Sequence, residues 1–167
     1  MSAHIERHYS LYTTGQLFDL VADVEKYPQF LPWILSSRIL RREQNAVWVE
    51  MILGIGPLQQ HFNSQAVLHR PHTIEITSSD APFDWFRQQW QFTTDHEGRT
   101  VVGYSYDFSL RSQILDLIPP AVLDQAVRAT LDAFEQRARQ VYGAQAALGV
   151  AQNASAPAAR CANAGHS

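Results

Sequence analysis

One cysteine and one lysine occur in 167 residues, and charged residues of all kinds make up only 17% of the chain. The single cysteine, Cys161, excludes an intrachain disulfide and any metal site built from several thiolates. No apolar run approaches the ~20 residues of a membrane-spanning helix. The opening MSAHIERHYS has no apolar stretch behind a basic start, so no secretory signal is expected and a cytosolic setting is. In that setting the sequon Asn153-Ala154-Ser155 has no consequence. Thirteen basic residues against sixteen acidic ones leave a net charge of -3, which argues against broad phosphate-backbone binding. No specific nucleic-acid binding is expected.

What is present is apolar: 46% of the residues are hydrophobic. A chain of this length makes one domain able to bury ~70% of its unfolded surface. The composition breaks after Tyr142, where AQAALGVAQNASAPAARCANAGHS is alanine-rich and without aromatics. One domain over 1–143 and a disordered tail over 144–167 are therefore expected.

Residues 3–11 read as a first strand, with Ile5, Arg7, Tyr9 and Leu11 on one parity. Thr13 or Thr14 can cap a helix that runs through Ala22, its apolar stripe formed by Leu17, Leu20, Val21 and Val24. A second helical turn from Val24 to Tyr27 should stop before Pro28, since a residue preceding proline avoids the helical region. From Ile34 to Leu110 the period is two. Val47, Val49, Met51 and Leu53 alternate with Trp48, Glu50 and Ile52. Gly54-Ile55-Gly56-Pro57 reads as a turn, with extended structure resuming at Gln60. Phe86, Gln88, Trp90 and Phe92 share one strand face. Val102, Tyr104, Tyr106, Phe108 and Leu110 share another, against Gly103, Ser105, Asp107 and Ser109. One apolar and one polar face mark an antiparallel sheet. The last element spans about Ser112 to Tyr142. Its buried stripe is Leu123, Val127, Leu131, Phe134, Ala138 and Val141, and Pro119-Pro120 should break or kink it.

The stretch Val24-Glu-Lys-Tyr-Pro-Gln-Phe-Leu-Pro-Trp33 is too rich in proline for a long helix and too apolar for a solvated loop. Together with Asp23 before it and Ser37-Arg38-Ile39-Leu40 after it, it resembles the signature of the coenzyme Q-binding protein family. That family overlaps the bacterial ribosome-association toxin family and the wider polyketide cyclase/dehydrase-like group. Phe62-Asn63-Ser64, Pro82-Phe83 with Trp90 and Phe92, and Ala133-Phe134-Glu135 with Val141-Tyr142 extend the resemblance over about 3–142. Two positions depart from the pattern. Ile34 stands where members often carry cysteine, and Gln65 where they often carry a basic residue.

The resemblance implies an α+β helix-grip (START-like) fold: a curved antiparallel sheet of about seven strands wrapped around a long C-terminal helix, with two short helices after the first strand. It implies a hydrophobic cavity that binds a polyprenyl quinone such as ubiquinone, without a required cofactor and without catalysis. It also implies a role as lipid carrier or chaperone in respiration or quinone synthesis, at the cytosolic face of a bacterial inner membrane. The ligand-binding residues expected on this reading are Phe30, Leu31, Pro32 and Trp33 as an apolar lip, with Val49 and Met51. Trp90, Phe92, Tyr104, Tyr106 and Phe108 would join them from the sheet, and Leu123, Val127, Leu131 and Phe134 from the helix. Periodicity alone would make the same side chains ordinary core. The toxin branch implies instead a partner in the large ribosomal subunit, with Arg38, Arg41 and Arg42 as the clustered basic residues. The cyclase-like group implies a small-molecule enzyme, with Tyr104, Tyr106 and Gln88 as its inward polar groups.

Other chemistry has little support. His69 and His72 straddle Pro71 without a third ligand nearby in sequence. Gly54-x-Gly56-Pro57 lacks the donors of a phosphate loop. Ser105 and Asp107 lie on the parity opposite the aromatic face, so with Ser64 they should not form a triad.

Overall fold

The computed structural model describes residues 4–55, 58–81, 83–111 and 119–143. The tail expected over 144–167, with Cys161, lies outside the described residues. Strand β1 (His4–Ser10) leads into helix α1 (Thr14–Ala22) and a 3-10 turn (Val24–Gln29). Six strands follow: β2 (Ile34–Glu43), β3 (Ala46–Ile55), β4 (Leu58–His69), β5 (Thr73–Ser78), β6 (Phe83–Thr94) and β7 (Thr100–Leu110). Helix α2 (Pro120–Tyr142) closes the described chain. The seven strands form one antiparallel, curved sheet in the order β1-β7-β6-β5-β4-β3-β2. Sequential hairpins therefore build six of the strands, and β1 pairs at the far edge with β7.

Local chemistry accounts for most boundaries. Thr13 caps α1 through a reciprocal box: its Oγ1 accepts from Gln16 N–H at 3.1 Å, and Gln16 Oε1 accepts from Thr13 N–H at 3.0 Å. The stripe Leu17, Leu20, Val21 and Val24 is buried, together with Phe18. Pro120 opens α2 at its first turn, where a missing N–H costs nothing, so the expected break is a start. The hairpin between β6 and β7 turns at Gly98, whose φ of 78° only glycine adopts without strain. A Cβ on Gly54 would meet the Leu35 side chain at 3.1 Å, so glycine lets β2 and β3 approach there.

Three expectations need correction. The 3-10 turn continues through Pro28 to Gln29. So short a turn makes few internal bonds, and proline's fixed φ suits it. Gly54 and Ile55 belong to β3, and pairing resumes at Leu58, opposite Ile55, rather than at Gln60. On β1, whose inward parity the sequence left open, Tyr9 faces outward and is 60% exposed, whereas Ser10 is buried and His8 reaches Glu135 of α2 at 3.4 Å. Val141 is half exposed. Tyr142 replaces it in the packing, its ring 6.0 Å from that of Tyr12 and its hydroxyl donating to Gln16 O at 2.8 Å.

The core lies between the sheet's concave face and the two helices. Phe18 of α1 meets Phe92 of β6 edge-on at 6.1 Å. Phe134 of α2 meets Trp90 at 5.1 Å and Tyr27 at 5.4 Å. Among the described residues no helix is long and apolar enough to cross a membrane.

Candidate functional site

A cavity of about 250 Å³ opens beneath Phe134. It is small enough for a compact molecule or one segment of a longer one, lying just under the usual ~300–1,000 Å³ of ligand sites. Val21 and Ala22 of α1 border one end, and Val24, Tyr27 and Leu31 form a side wall. The strands contribute their buried parity: Val47, Val49, Met51 and Leu53 from β3, then Phe62, Ser64, Ala66 and Leu68 from β4. Ile74, Ile76, Gln88, Trp90 and Tyr104 line it from β5, β6 and β7, and Thr130 and Phe134 from α2. Trp33, Leu53, Phe62 and Phe83 lie toward the other end, where β2 and β6 begin and β3 terminates.

No charged side chain belongs to this lining among the described residues. The polar groups are few, and most are committed. Tyr27 Oη donates to Val21 O, and Thr130 Oγ1 donates to Ala126 O at 2.8 Å. Gln88 Nε2 donates to Tyr104 Oη at 2.6 Å. Burial pushes the Tyr104 phenol far above its ordinary value. The Gln88 hydrogen bond opposes that rise, and the nearby Tyr106 adds to it. Tyr27 is raised as well, first by burial, then by Tyr104 and Asp23. Both phenols therefore stay protonated throughout the physiological range.

Of the residues expected to bind ligand, Leu31, Trp33, Val49, Met51, Trp90, Tyr104 and Phe134 line the cavity. Phe30, Pro32, Phe92, Tyr106, Phe108, Val127 and Leu131 do not. Phe30 turns outward onto Phe134, with rings 5.1 Å apart and the Arg137 guanidinium 5.3 Å above it. Pro32 is exposed. Phe92 is committed to Phe18, and Val127 and Leu131 to the continuous core. Tyr106 stacks on Phe108 at 6.0 Å, beyond the cavity on β7. The side chain of Leu123 lies outside the described residues. The sheet face is simply longer than the cavity, so its alternation identifies the buried side without separating wall from core.

Sequence reasoning set Phe86 on the inward face but left it, with Phe62 and Phe83, out of the ligand-binding residues; the three line the cavity and meet one another at 5.1–5.7 Å. A register shift between Phe83 and Trp85 puts Phe83 and Phe86, three apart, on the same face. Period-two reading cannot find such a pair. Ser64 faces the cavity from β4. Ser105 and Asp107 line a hollow on the opposite face of the sheet with Arg87 and Gln89, so no triad assembles. They are half-buried, and among the described residues Asp107 Oδ1 is covered without a hydrogen-bond partner. Among the described residues no three His, Cys, Asp or Glu side chains gather as a metal site.

Comparison with known proteins agrees with this geometry. The family of polyketide cyclase/dehydrase and lipid transport proteins matches residues 12–135. The ribosome association toxin RatA of Pseudomonas aeruginosa is 34% identical over 86% of this chain and 100% of its own. The mitochondrial coenzyme Q-binding protein COQ10 homolog B of Xenopus laevis is 25% identical over 80% of this chain and 57% of its own. Among solved structures, a START superfamily protein from Mycobacterium smegmatis superposes with a TM-score of 0.70. It covers 83% of this chain and 98% of its own at 16% identity, a likeness of fold.

Proposed function

Because the chain belongs to the polyketide cyclase/dehydrase and lipid transport family, with the helix-grip fold of START-like proteins, we propose that it binds a polyprenyl quinone of the ubiquinone type without transforming it. The observation that carries this reading is a cavity lined by aliphatic and aromatic side chains, without charge among the described residues, that holds one phenol–amide pair. Each prenyl unit buried there gains on the order of 2–3 kcal/mol at ~25 cal/mol per Å², before ordering costs. The quinone head needs only one or two donors. The protein would act as a carrier or chaperone for quinone synthesis or respiration, exchanging ligand at a membrane surface. Its test is mass spectrometry of the lipid that co-purifies with the protein from its own host. A quinone is expected; its absence, together with no calorimetric binding of added ubiquinone, overturns the reading.

A second reading, association with the large ribosomal subunit, is supported by the full-length relation to a ribosome association toxin. The basic strip expected to serve it carries its own counter-charges. Arg38 pairs with Glu50 at 2.8 Å, and Arg41 pairs with Glu43 at 3.4 Å while stacking on Trp48 at 3.7 Å. Co-sedimentation with large subunits, lost on changing Arg38, Arg41 and Arg42 to Glu, would favour this reading. Sedimentation indifferent to those charges would remove the strip from it.

A further inference from the structure

The cavity's polar groups point one way, and the proposal drawn from them rests on the quinone reading above. We infer that the site reads its ligand through one directed hydrogen bond, from Tyr104 Oη to a ligand carbonyl, with Gln88 positioning the phenol and the ring entering ahead of the tail. The ligand class is a neutral, apolar molecule bearing a carbonyl.

The direction of the bond follows from the donor inventory. A phenol has one proton and can both donate and accept. Tyr104 Oη already accepts from Gln88 Nε2, so its own proton is left to give. Tyr27 and Thr130 have given theirs to Val21 O and Ala126 O. Ser64 is the remaining hydroxyl of the lining, on β4, two strand spacings and two residues of register from Gln88 and so about 12 Å away along the sheet. The indole N–H groups of Trp33 and Trp90 are the lining's other donors, and Tyr104→Phe leaves them in place. The lining holds no cation among its described residues, so an ionised fatty acid or a phosphate would be buried without a partner. A ketone or quinone oxygen meets no such penalty.

The orientation follows from register. Tyr104 lies opposite Trp90, and Trp90 opposite Ile74, in the cavity-lining row nearest α1, whose Val21 and Ala22 border the cavity. Gln88 lies in the next row, with Ile76, Ala66 and Val47. Trp33 stands elsewhere: its carbonyl accepts from Gly54 N–H at 2.8 Å, well along β3 from Val47. A ring hydrogen-bonded to Tyr104 therefore sits beside Trp90. A cavity of about 250 Å³ cannot also take a long tail, which must run toward Trp33 and out past the strand ends.

The test uses two probes of equal tail: a ubiquinone with two prenyl units, and a carbonyl-free methylated benzene carrying the same tail. By titration calorimetry the full-length protein should bind the quinone about tenfold more tightly than the benzene, the worth of one buried hydrogen bond. Tyr104→Phe and Gln88→Leu should each bring that ratio to within about twofold. Should Tyr104→Phe fail to fold, Gln88→Leu, which keeps the phenol, carries the test through the same ratio. A ratio unchanged in either folded variant overturns the inference while leaving quinone binding intact. Failure of the wild type to bind either probe overturns the quinone reading itself. For orientation, quenching of tryptophan emission by the quinone should survive Trp33→Phe and be largely lost in Trp90→Phe. The reverse pattern places the ring at the other end.

Discussion

Phe30 and Leu31 are adjacent in the chain and face different surroundings. Leu31 is 3% exposed and lines the cavity, while Phe30 packs across the outside of Phe134 and Tyr27. Replacing half-buried Phe30 by Ala should destabilise the fold by about 1–2 kcal/mol through lost aromatic packing. Denaturant titration should report that loss, with calorimetric quinone affinity unchanged within twofold. Pro32→Ala should leave both measurements unmoved, because Pro32 is exposed. The composition of this stretch made its burial legible, but the two directions came from tertiary packing. Tyr104 and Gln88 could be named from alternation as inward polar groups. Their mutual hydrogen bond could not, because it joins residues diagonal to one another across two strands.

Among the elements, α1 was the most legible, since its cap and its stripe both sit in a few consecutive residues. Thr13→Ala should cost about 1 kcal/mol in denaturant titration, as both arms of the capping box lose their anchor. The same helix is tied to the turn after β4 by Arg70, which donates through Nε and Nη2 to the two Asp19 oxygens at 2.8 and 2.9 Å. The hydrogen bond from Arg70 holds the Asp19 carboxyl below its ordinary value; slight burial opposes this and the arginine's charge adds to it. A carboxylate depressed in the folded state stabilises above its unfolded value, about 4, and loses that contribution as pH falls through the folded one. The stability gap between wild type and Arg70→Gln, followed by urea titration, should therefore be present at pH 7 and close below about pH 4. Both side chains are half exposed, so the gap should be small and should narrow further in high salt. The elements least legible were those bent out of period: the register shift in β6 and the 3-10 turn that admits Pro28.

At the scale of the whole molecule, the order of strand and helix signals, read together with the family resemblance, was enough to reach a curved sheet gripping a long helix. The cavity's extent was not, because its walls and the solid core share the same residue types and the same alternation. What divides them is where α1, the 3-10 turn and Phe134 press on the sheet, a three-dimensional fact without a local signature. Filling the cavity tests that division. Ala66→Leu projects four carbons less one into it from β4 and should abolish quinone binding in calorimetry, at a stability change under about 2 kcal/mol, since overpacking into open volume costs less than into a packed core. One consequence of the strand order concerns time rather than shape. His4 pairs with Tyr106 and Ser10 with Thr100, so β1, which precedes the other six strands in the chain, completes its ladder only after the whole meander exists. The hairpins β2 to β7 can form in sequence as the chain emerges, whereas β1 must wait, at the cost of closing the longest loop in the fold. Until it docks, the β7 edge stands open, and the nascent chain is most exposed to pairing with a second copy during that interval.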